Sequence, residues 1–126
     1  FNTGVTEEIY TAQVHRAARR FPELTVPNRP KGIGAVYDVT DDWIPIYDRT
    51  ALPGYYVAIG TSGNQFKNAP MAGLYLQRII AASENGLDHD ATPVTVDLPH
   101  SGQTVDLSAF SRRRVINRDS SFTVMG

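Results

Sequence analysis

The segment Ile-Gly-Thr-Ser-Gly-Asn-Gln-Phe-Lys-Asn-Ala-Pro, residues 59–70, joins two stretches of different character. The β-branched and aromatic run at residues 55–59 predicts a buried strand. Apolar residues then recur at roughly helical spacing and predict a helix over residues 68–83. Asn68 suits the N-cap, and Pro70 fits the first turn, where the amide hydrogen it lacks would have no partner. A strand, a glycine-containing loop and a helix are typical of sites that bring a helix N-terminus to an anionic or electron-rich ligand.

Lys67 lies at the start of the predicted helix, against the local electrostatics. The helix macrodipole is positive there and disfavours a cation by about 0.3–1 kcal/mol. A residue that breaks a local rule is a candidate for function, and a solvated surface lysine is the alternative. The loop glycines add little, because any tight turn between a strand and a helix can use glycine.

Residues 60–70 resemble the Gly-x-Ser-Gly-His-Gly-Phe-Lys-x-Ala-Pro segment of the D-amino-acid oxidase/sarcosine oxidase superfamily, which comprises FAD-dependent amine and amino-acid oxidoreductases. Upstream, residues 34–46 are similar to the family's Gly-x-x-x-x-Thr-Pro-Asp-x-x-Pro-Ile strand pair, with Asp41 in the place of the usual proline. Leu-Ser-Ala-Phe-Ser-Arg-Arg-Arg at residues 107–114 is similar to the Phe-Ser-x-x-Arg ending of many members. The resemblance covers most of residues 6–114, in the family's order and spacing.

The resemblance implies where a flavin would bind. In the family, this loop and the helix after it close over the isoalloxazine ring, where positive potential stabilises the reduced flavin. Lys67 matches the family lysine that supplies positive charge for the substrate carboxylate and the flavin edge, so it is the catalytic candidate. Tyr37 matches an aromatic residue of the substrate pocket, with a buried core tyrosine as the alternative. The residues that the resemblance assigns to FAD binding are Gly60, Ser62, Gly63, Asn64, Gln65, Phe66 and Lys67.

Two departures from the family limit what the resemblance implies. Asn64 and Gln65 replace the usual His-Gly, which changes the donor pattern of the loop. Ala35 falls where some members carry the cysteine that bonds covalently to the flavin, and the chain has no cysteine. Any FAD would therefore be noncovalent with respect to this chain.

The dinucleotide-binding half of the family is missing from the sequence. The pair of glycines at residues 32–34 precedes a predicted strand rather than a helix, so it is not the Gly-x-Gly-x-x-Gly fingerprint. We therefore expect a C-terminal portion of a longer two-domain oxidoreductase, which by itself is inactive and binds FAD weakly or not at all. Residues 1–48 would end the substrate-domain segment, residues 49–86 would close the FAD site, and residues 87–126 would form a tail.

The predicted fold class is α+β. Thr6 is a plausible N-cap of a first helix that ends near Arg20. Two further β-rich runs predict strands over residues 33–39 and 43–47, before the strand and the long apolar helix of the central segment. Gly86 suits the position just after the end of that helix.

The tail gives weaker signals. Asp88-His89-Asp90 invites a metal interpretation, but no further ligand lies nearby in the sequence, and an exposed loop is the favoured prediction. The arginines at residues 112–114 are expected either to form ion pairs or to be solvated. From Ile116 onward the sequence predicts progressive disorder.

Composition limits the function classes. The 126 residues, 41% of them hydrophobic, suffice for at most one domain with a modest core. A net charge of −1 gives no support for binding to nucleic acid or acidic membrane. The absence of cysteine excludes disulfides and thiolate metal sites. No transmembrane run or signal peptide is visible, so the expected location is the cytoplasm.

The function that these observations predict is oxidation of a C–N bond in a small amine or amino acid by hydride transfer to FAD. The expected partner is the remaining N-terminal part of the oxidoreductase or a separate subunit. Two alternatives stay open: a non-catalytic subunit or interaction module that completes a flavin site on another chain, and a relative by fold only, with a solvated Lys67. Apolar surface left by missing partners would favour self-association.

Overall fold

The computed structural model describes residues 3–27, 29, 31–63 and 65–119, and the chain divides into two units, residues 1–36 and 37–126. The first unit contains helix α1, Glu7–Ala18. Thr6 precedes the helix with the extended backbone of an N-cap, although its side chain makes no capping hydrogen bond. Two acidic residues in the first turn and two basic residues in the last complement the macrodipole. The predicted first helix is therefore confirmed, and it ends two residues before Arg20.

The second unit begins with a two-stranded antiparallel sheet. Strand β1, Ile46–Arg49, pairs with strand β2, Tyr56–Ile59, and Ile46 lies opposite Ile59. Strand β2 confirms the prediction for residues 55–59, but it is only half-buried, because its last two residues are exposed. Strand β1 packs its buried Tyr47 into the core.

The two earlier strand predictions need correction. The strand predicted over residues 43–47 is displaced: Trp43 has a left-handed backbone and Pro45 has no amide hydrogen, so pairing starts only at Ile46. The strand predicted over residues 33–39 is wrong, because no residue from 31 to 40 belongs to a strand. In the described part of the chain β2 pairs only with β1, so this β-rich run has no partner strand.

Helix α2, Ala69–Glu84, confirms the predicted long helix, and a single 3₁₀ turn, Phe66–Asn68, leads into it. Pro70 lies in its first turn, as predicted. Asn68 occupies the N-cap position, but its Nδ2 donates to Gln65 Oε1 (2.8 Å) rather than its side chain capping a helix amide.

The C-terminus of α2 closes as predicted at Gly86. Gly86 adopts φ +86°, and its amide donates to the carbonyl of Ser83 (2.9 Å). The amide of Leu87 donates to the carbonyl of Ala82 (3.0 Å). This pair of bonds is a Schellman motif, which uses the left-handed conformation that glycine adopts without strain.

A second hairpin follows that the sequence did not predict. Strands β3, Thr95–Leu98, and β4, Gln103–Asp106, pair antiparallel, and a 3₁₀ turn, Leu107–Phe110, follows them. Side chains from both sheets, α2 and this 3₁₀ turn form the buried hydrophobic core: Tyr47, Tyr75, Ile79, Val96 and Leu107.

The described residues thus form a small α+β structure with two α-helices and two small antiparallel sheets. Among these residues, neither helix has the length and apolar character needed to cross a bilayer. The disorder predicted from Ile116 onward concerns a segment of which residues 120–126 lie outside the described residues.

Candidate functional site

The loop between β2 and α2 depends on two glycines. Gly60 has φ +69°, and a Cβ there would collide with Cγ2 of Thr40. Gly63 has φ +73°, and a Cβ there would lie 2.6–2.8 Å from ring atoms of Tyr37. Both positions therefore need glycine for two reasons, the left-handed backbone and the lack of space. The contacts also bring the segment around Tyr37 against the loop.

Asp38 holds this loop in place. Its Oδ2 accepts the amide of Gly60 (2.7 Å), its Oδ1 accepts the hydroxyl of Thr61 (2.5 Å), and its carbonyl accepts the amide of Ser62 (3.0 Å). These donors favour the carboxylate, and the Thr61 hydroxyl above all keeps the pKa of Asp38 below its ordinary value. The sequence did not assign a role to Asp38, since nothing local shows that it meets residues more than twenty positions later.

Ser62 is a structural part of the loop. It is fully buried, its Oγ donates to the carbonyl of Gly60 (3.1 Å), and its backbone is left-handed at φ +52°. A non-glycine residue in this conformation costs about 1–2 kcal/mol, which the surrounding hydrogen bonds must offset. The Ser62 side chain thus points into the loop rather than toward a ligand.

Four of the predicted site residues line one cavity of about 500 Å³, which we call the loop cavity: Tyr37, Gly63, Gln65 and Phe66. Most of its lining is apolar. Phe66 is 98% exposed and Tyr37 is 56% exposed, so two aromatic rings face solvent at its edge. The alternative of a buried core tyrosine at position 37 is therefore wrong.

The other predicted residues lie elsewhere. Gly60 is buried next to Thr40, and Asn64 lies outside the described residues. Lys67 is exposed in the 3₁₀ turn immediately before α2, outside the lining of the loop cavity. In the described part of the chain it forms no ion pair. Its position before the N-terminus of α2 is as predicted.

A second cluster of charged residues was not predicted as a buried network. The exposed loop expected at Asp88-His89-Asp90 is wrong for two of its residues, because His89 is 2% exposed and the Asp90 side chain is 6% exposed. Arg112 explains the burial of Asp90: it donates to Asp90 (2.6 and 2.9 Å) and to the fully buried Asp48 (2.9 Å). Burial of a carboxylate is tolerated when such charged partners replace the hydrogen bonds that it would make to water.

His89 packs beside this network in one defined tautomer. Its Nδ1 accepts the amide of Val94 (3.0 Å), so a neutral imidazole carries its proton on Nε2. The Nε2 atom is buried 3.9 Å from Asp48 Oδ1, beyond hydrogen-bond distance. Among the described residues, no group of three carboxylate or imidazole side chains is placed to bind a metal ion.

A further ion pair connects the tail to the turn before β1. Arg114 donates to both oxygens of Asp42 (2.5 and 2.9 Å) and to the carbonyl of Ile44 (2.8 Å). Asp42 is fully buried, and the Arg114 guanidinium keeps its pKa well below the ordinary value. All three tail arginines thus form ion pairs, but Arg113, whose guanidinium lies 3.5 Å from an oxygen of Asp90, is 68% exposed.

The ion pairs predict a loss of stability in acid. Hydrogen bonds from Arg112, more than any other interaction, lower the pKa of Asp90 to about 2. A carboxylate with a lower pKa in the folded state stabilises the fold above its unfolded pKa, near about 4. That contribution disappears as the pH falls from about 4 toward 2. We expect the urea midpoint of unfolding to fall over this pH interval. In Asp90→Asn the midpoint should be lower at neutral pH and should fall less in acid, because the variant lacks the titrating carboxylate. An equally steep acid loss in the variant would contradict this role of Asp90.

No protein-family model, curated protein or solved structure matched the chain in our comparisons. The resemblance of short motifs and the geometry of the loop are therefore the observations that bear on function.

Proposed function

We propose that this chain is the C-terminal part of an FAD-dependent oxidoreductase that oxidises a C–N bond of a small amine or amino acid. The loop of residues 60–67 would close over the isoalloxazine ring, and Lys67 would supply positive charge at the flavin edge and for a substrate carboxylate. The remaining N-terminal part, or a partner subunit, would bind the nucleotide portion of FAD. The chain alone is expected to be inactive.

The observation that supports this proposal is the packing of two distant segments against each other. Residues 34–46 and 60–70 carry the two linked motifs of the resemblance, and they meet where Asp38 binds the loop and Tyr37 covers Gly63. Chance likeness of two short segments would not require them to be neighbours in space. Residues that the resemblance assigns to substrate and cofactor, Tyr37 and Phe66, line the same cavity.

The chemistry of the loop cavity suits part of a flavin. An isoalloxazine ring is planar, with apolar faces and a polar pyrimidine edge, and the loop cavity is mainly apolar with exposed aromatic rings at its edge, which suits a face of the ring. Bound FAD would supply the two-electron chemistry by accepting a hydride. The chain's own contribution would be to cover the ring, exclude water and place the Lys67 cation where negative charge develops.

Exposed apolar side chains favour the second candidate, a non-catalytic subunit that completes a flavin site on a partner chain. Phe66 is almost fully exposed, and Leu52, Tyr55 and Ile59 of the same sheet and its turn are each about half exposed or more. Apolar surface of this kind is expected where another element normally packs. The two candidates differ in whether the dinucleotide half belongs to the same polypeptide.

The first experiment is to read the gene upstream of this segment and to express the whole polypeptide. We expect a strand–Gly-x-Gly-x-x-Gly–helix segment upstream and yellow protein with stoichiometric FAD. FAD bound stoichiometrically by the 126 residues alone would contradict the proposal. Colourless full-length protein would also contradict it, unless the fingerprint lies on a partner chain that copurifies.

Lys67→Met in the flavin-containing protein tests the residue assignment. Loss of a charged contact worth about 1.5–3 kcal/mol should lower kcat/KM about 10- to 150-fold. Lys31→Met is the matched control, since Lys31 is the only other lysine of these 126 residues, lies in the other unit and is exposed. Unchanged kinetics in Lys67→Met would show that Lys67 is merely a solvated lysine.

A further inference from the structure

We propose that a second cavity, which shares Tyr47, Gln65 and Ala72 with the loop cavity, binds a small uncharged aromatic molecule that carries one hydrogen-bonding group. This aromatic cavity has a volume of about 460 Å³ and lies between the turn before β1, the start of α2 and the 3₁₀ turn after β4. A cavity of about 150 Å³ can hold benzene, and ligand pockets typically begin at about 300 Å³. Its size therefore fits one or two fused rings. The proposal does not depend on the flavin function.

Aromatic side chains form much of the wall. Tyr47, Tyr75 and Phe110 pack together, with ring centroids 5.3 Å apart for Tyr47 and Phe110 and 5.4 Å apart for Tyr75 and Phe110. Trp43 adds a fourth ring from the turn before β1. Aromatic rings attract further aromatic rings in offset or edge-to-face arrangements beyond the effect of burial alone. Such a wall favours a planar aromatic ligand over an aliphatic one.

The polar groups of the cavity define the ligand further. Tyr47 Oη donates to Gln65 Oε1 (3.2 Å), and Asn68 Nδ2 donates to the same oxygen (2.8 Å), so the two amides and the hydroxyl are held together at one side. Within the described part of the chain, every lining side chain is uncharged. An ionised ligand would lose its hydration without gaining a counter-charge, whereas a neutral carboxamide could exchange hydrogen bonds with these groups.

The surrounding structure holds Trp43 in a strained backbone conformation. Its backbone is left-handed at φ +59°, a conformation that bulky residues rarely adopt. Asp42 holds the turn from inside by accepting the amide of Ile44 (3.1 Å), and Arg114 binds both Asp42 and the carbonyl of Ile44. Strained residues that the surrounding structure keeps in place concentrate at ligand sites. The strain and the aromatic cavity are independent observations at the same place.

Trp43 makes the test specific, because it is the only tryptophan of the chain. The probe is naphthalene-1-carboxamide, titrated into the 126-residue chain while the indole N–H resonance of Trp43 is followed by NMR. The matched probe is 1-naphthoate, which has nearly the same shape and a negative charge. We expect a saturable shift with the carboxamide and binding at least about tenfold weaker for the carboxylate. The absence of a saturable shift, or equal affinity for the two probes, would overturn the proposal.

Two variants in which an exposed alanine is replaced by phenylalanine locate the binding site. Ala109 is exposed and lines the aromatic cavity, so Ala109→Phe should fill it and abolish the shift. Ala91 is exposed and lies outside its lining, so Ala91→Phe should bind as the original chain does. Carboxamide binding unchanged by Ala109→Phe would place the ligand elsewhere and overturn the proposal. The spectra also show whether each variant is folded; if Ala109→Phe is not, the pair of probes on the original chain decides.

Discussion

Asp48→Ala should be the most destabilising single substitution proposed for this chain, with a loss of about 3–5 kcal/mol. The carboxylate is fully buried and accepts the amides of Arg49 (2.7 Å) and Arg112 (2.8 Å) and the hydroxyl of Ser111 (3.1 Å). It also neutralises the Arg112 guanidinium. Truncation leaves these donors buried without an acceptor and leaves Arg112 with one carboxylate instead of two. Each such orphaned group costs about 1–3 kcal/mol.

Urea unfolding followed by the fluorescence of Trp43 measures this loss, since the single tryptophan belongs to the same unit as Asp48. Asp88→Ala is the matched control. Asp88 has the same carboxylate and also binds Arg49 (2.6 Å), but its side chain is 58% exposed. Exposed ion pairs contribute about 0–1 kcal/mol, so the control should shift the midpoint little. Similar losses in the two variants would mean that burial of Asp48 does not determine its contribution.

The network around Asp48 shows which parts of the fold the sequence could predict. Strand β2, the glycine loop and α2 were predicted because the residue patterns that indicate them each lie within a short stretch of sequence. The partners of Asp48 at Ser111 and Arg112 lie 63 and 64 positions away, and Arg114 lies 72 positions from Asp42. No periodicity connects residues this far apart in the sequence. The local sequence around an arginine is therefore the same whether the arginine forms a buried ion pair or is solvated.

The strand predicted over residues 33–39 failed for a related reason. β-Branched and aromatic residues indicate that a segment can be extended, but a strand also needs a partner edge, which local sequence does not specify. In the candidate site, the glycines could be predicted from the turn, whereas the role of Asp38 could not. Its carboxylate acts on Gly60 and Thr61, 22 and 23 positions away.

Gly60→Ala should destabilise the chain by about 2–5 kcal/mol, from two separable causes. The left-handed backbone costs a residue with a Cβ about 1–2 kcal/mol. The added methyl group would also collide with Cγ2 of Thr40, and overpacking of this kind costs about 1–3 kcal/mol. Because Thr40 belongs to the turn that leads to β1, we expect the variant to displace the loop from Asp38 as well as to lower the urea midpoint.

Two further variants separate these causes. Gly54 has φ +73° with no atom within 4 Å of an added Cβ, so Gly54→Ala should show the backbone cost alone. Thr40→Ser removes the colliding methyl group and keeps the hydroxyl that donates to the carbonyl of Ile44 (2.8 Å). The double variant Gly60→Ala/Thr40→Ser should therefore recover about 1–2 kcal/mol relative to the sum of the single losses. If Gly60→Ala costs no more stability than Gly54→Ala, or if Thr40→Ser restores no stability to Gly60→Ala, then Cγ2 of Thr40 does not collide with a Cβ at position 60. The loop would then have room to move away from Asp38.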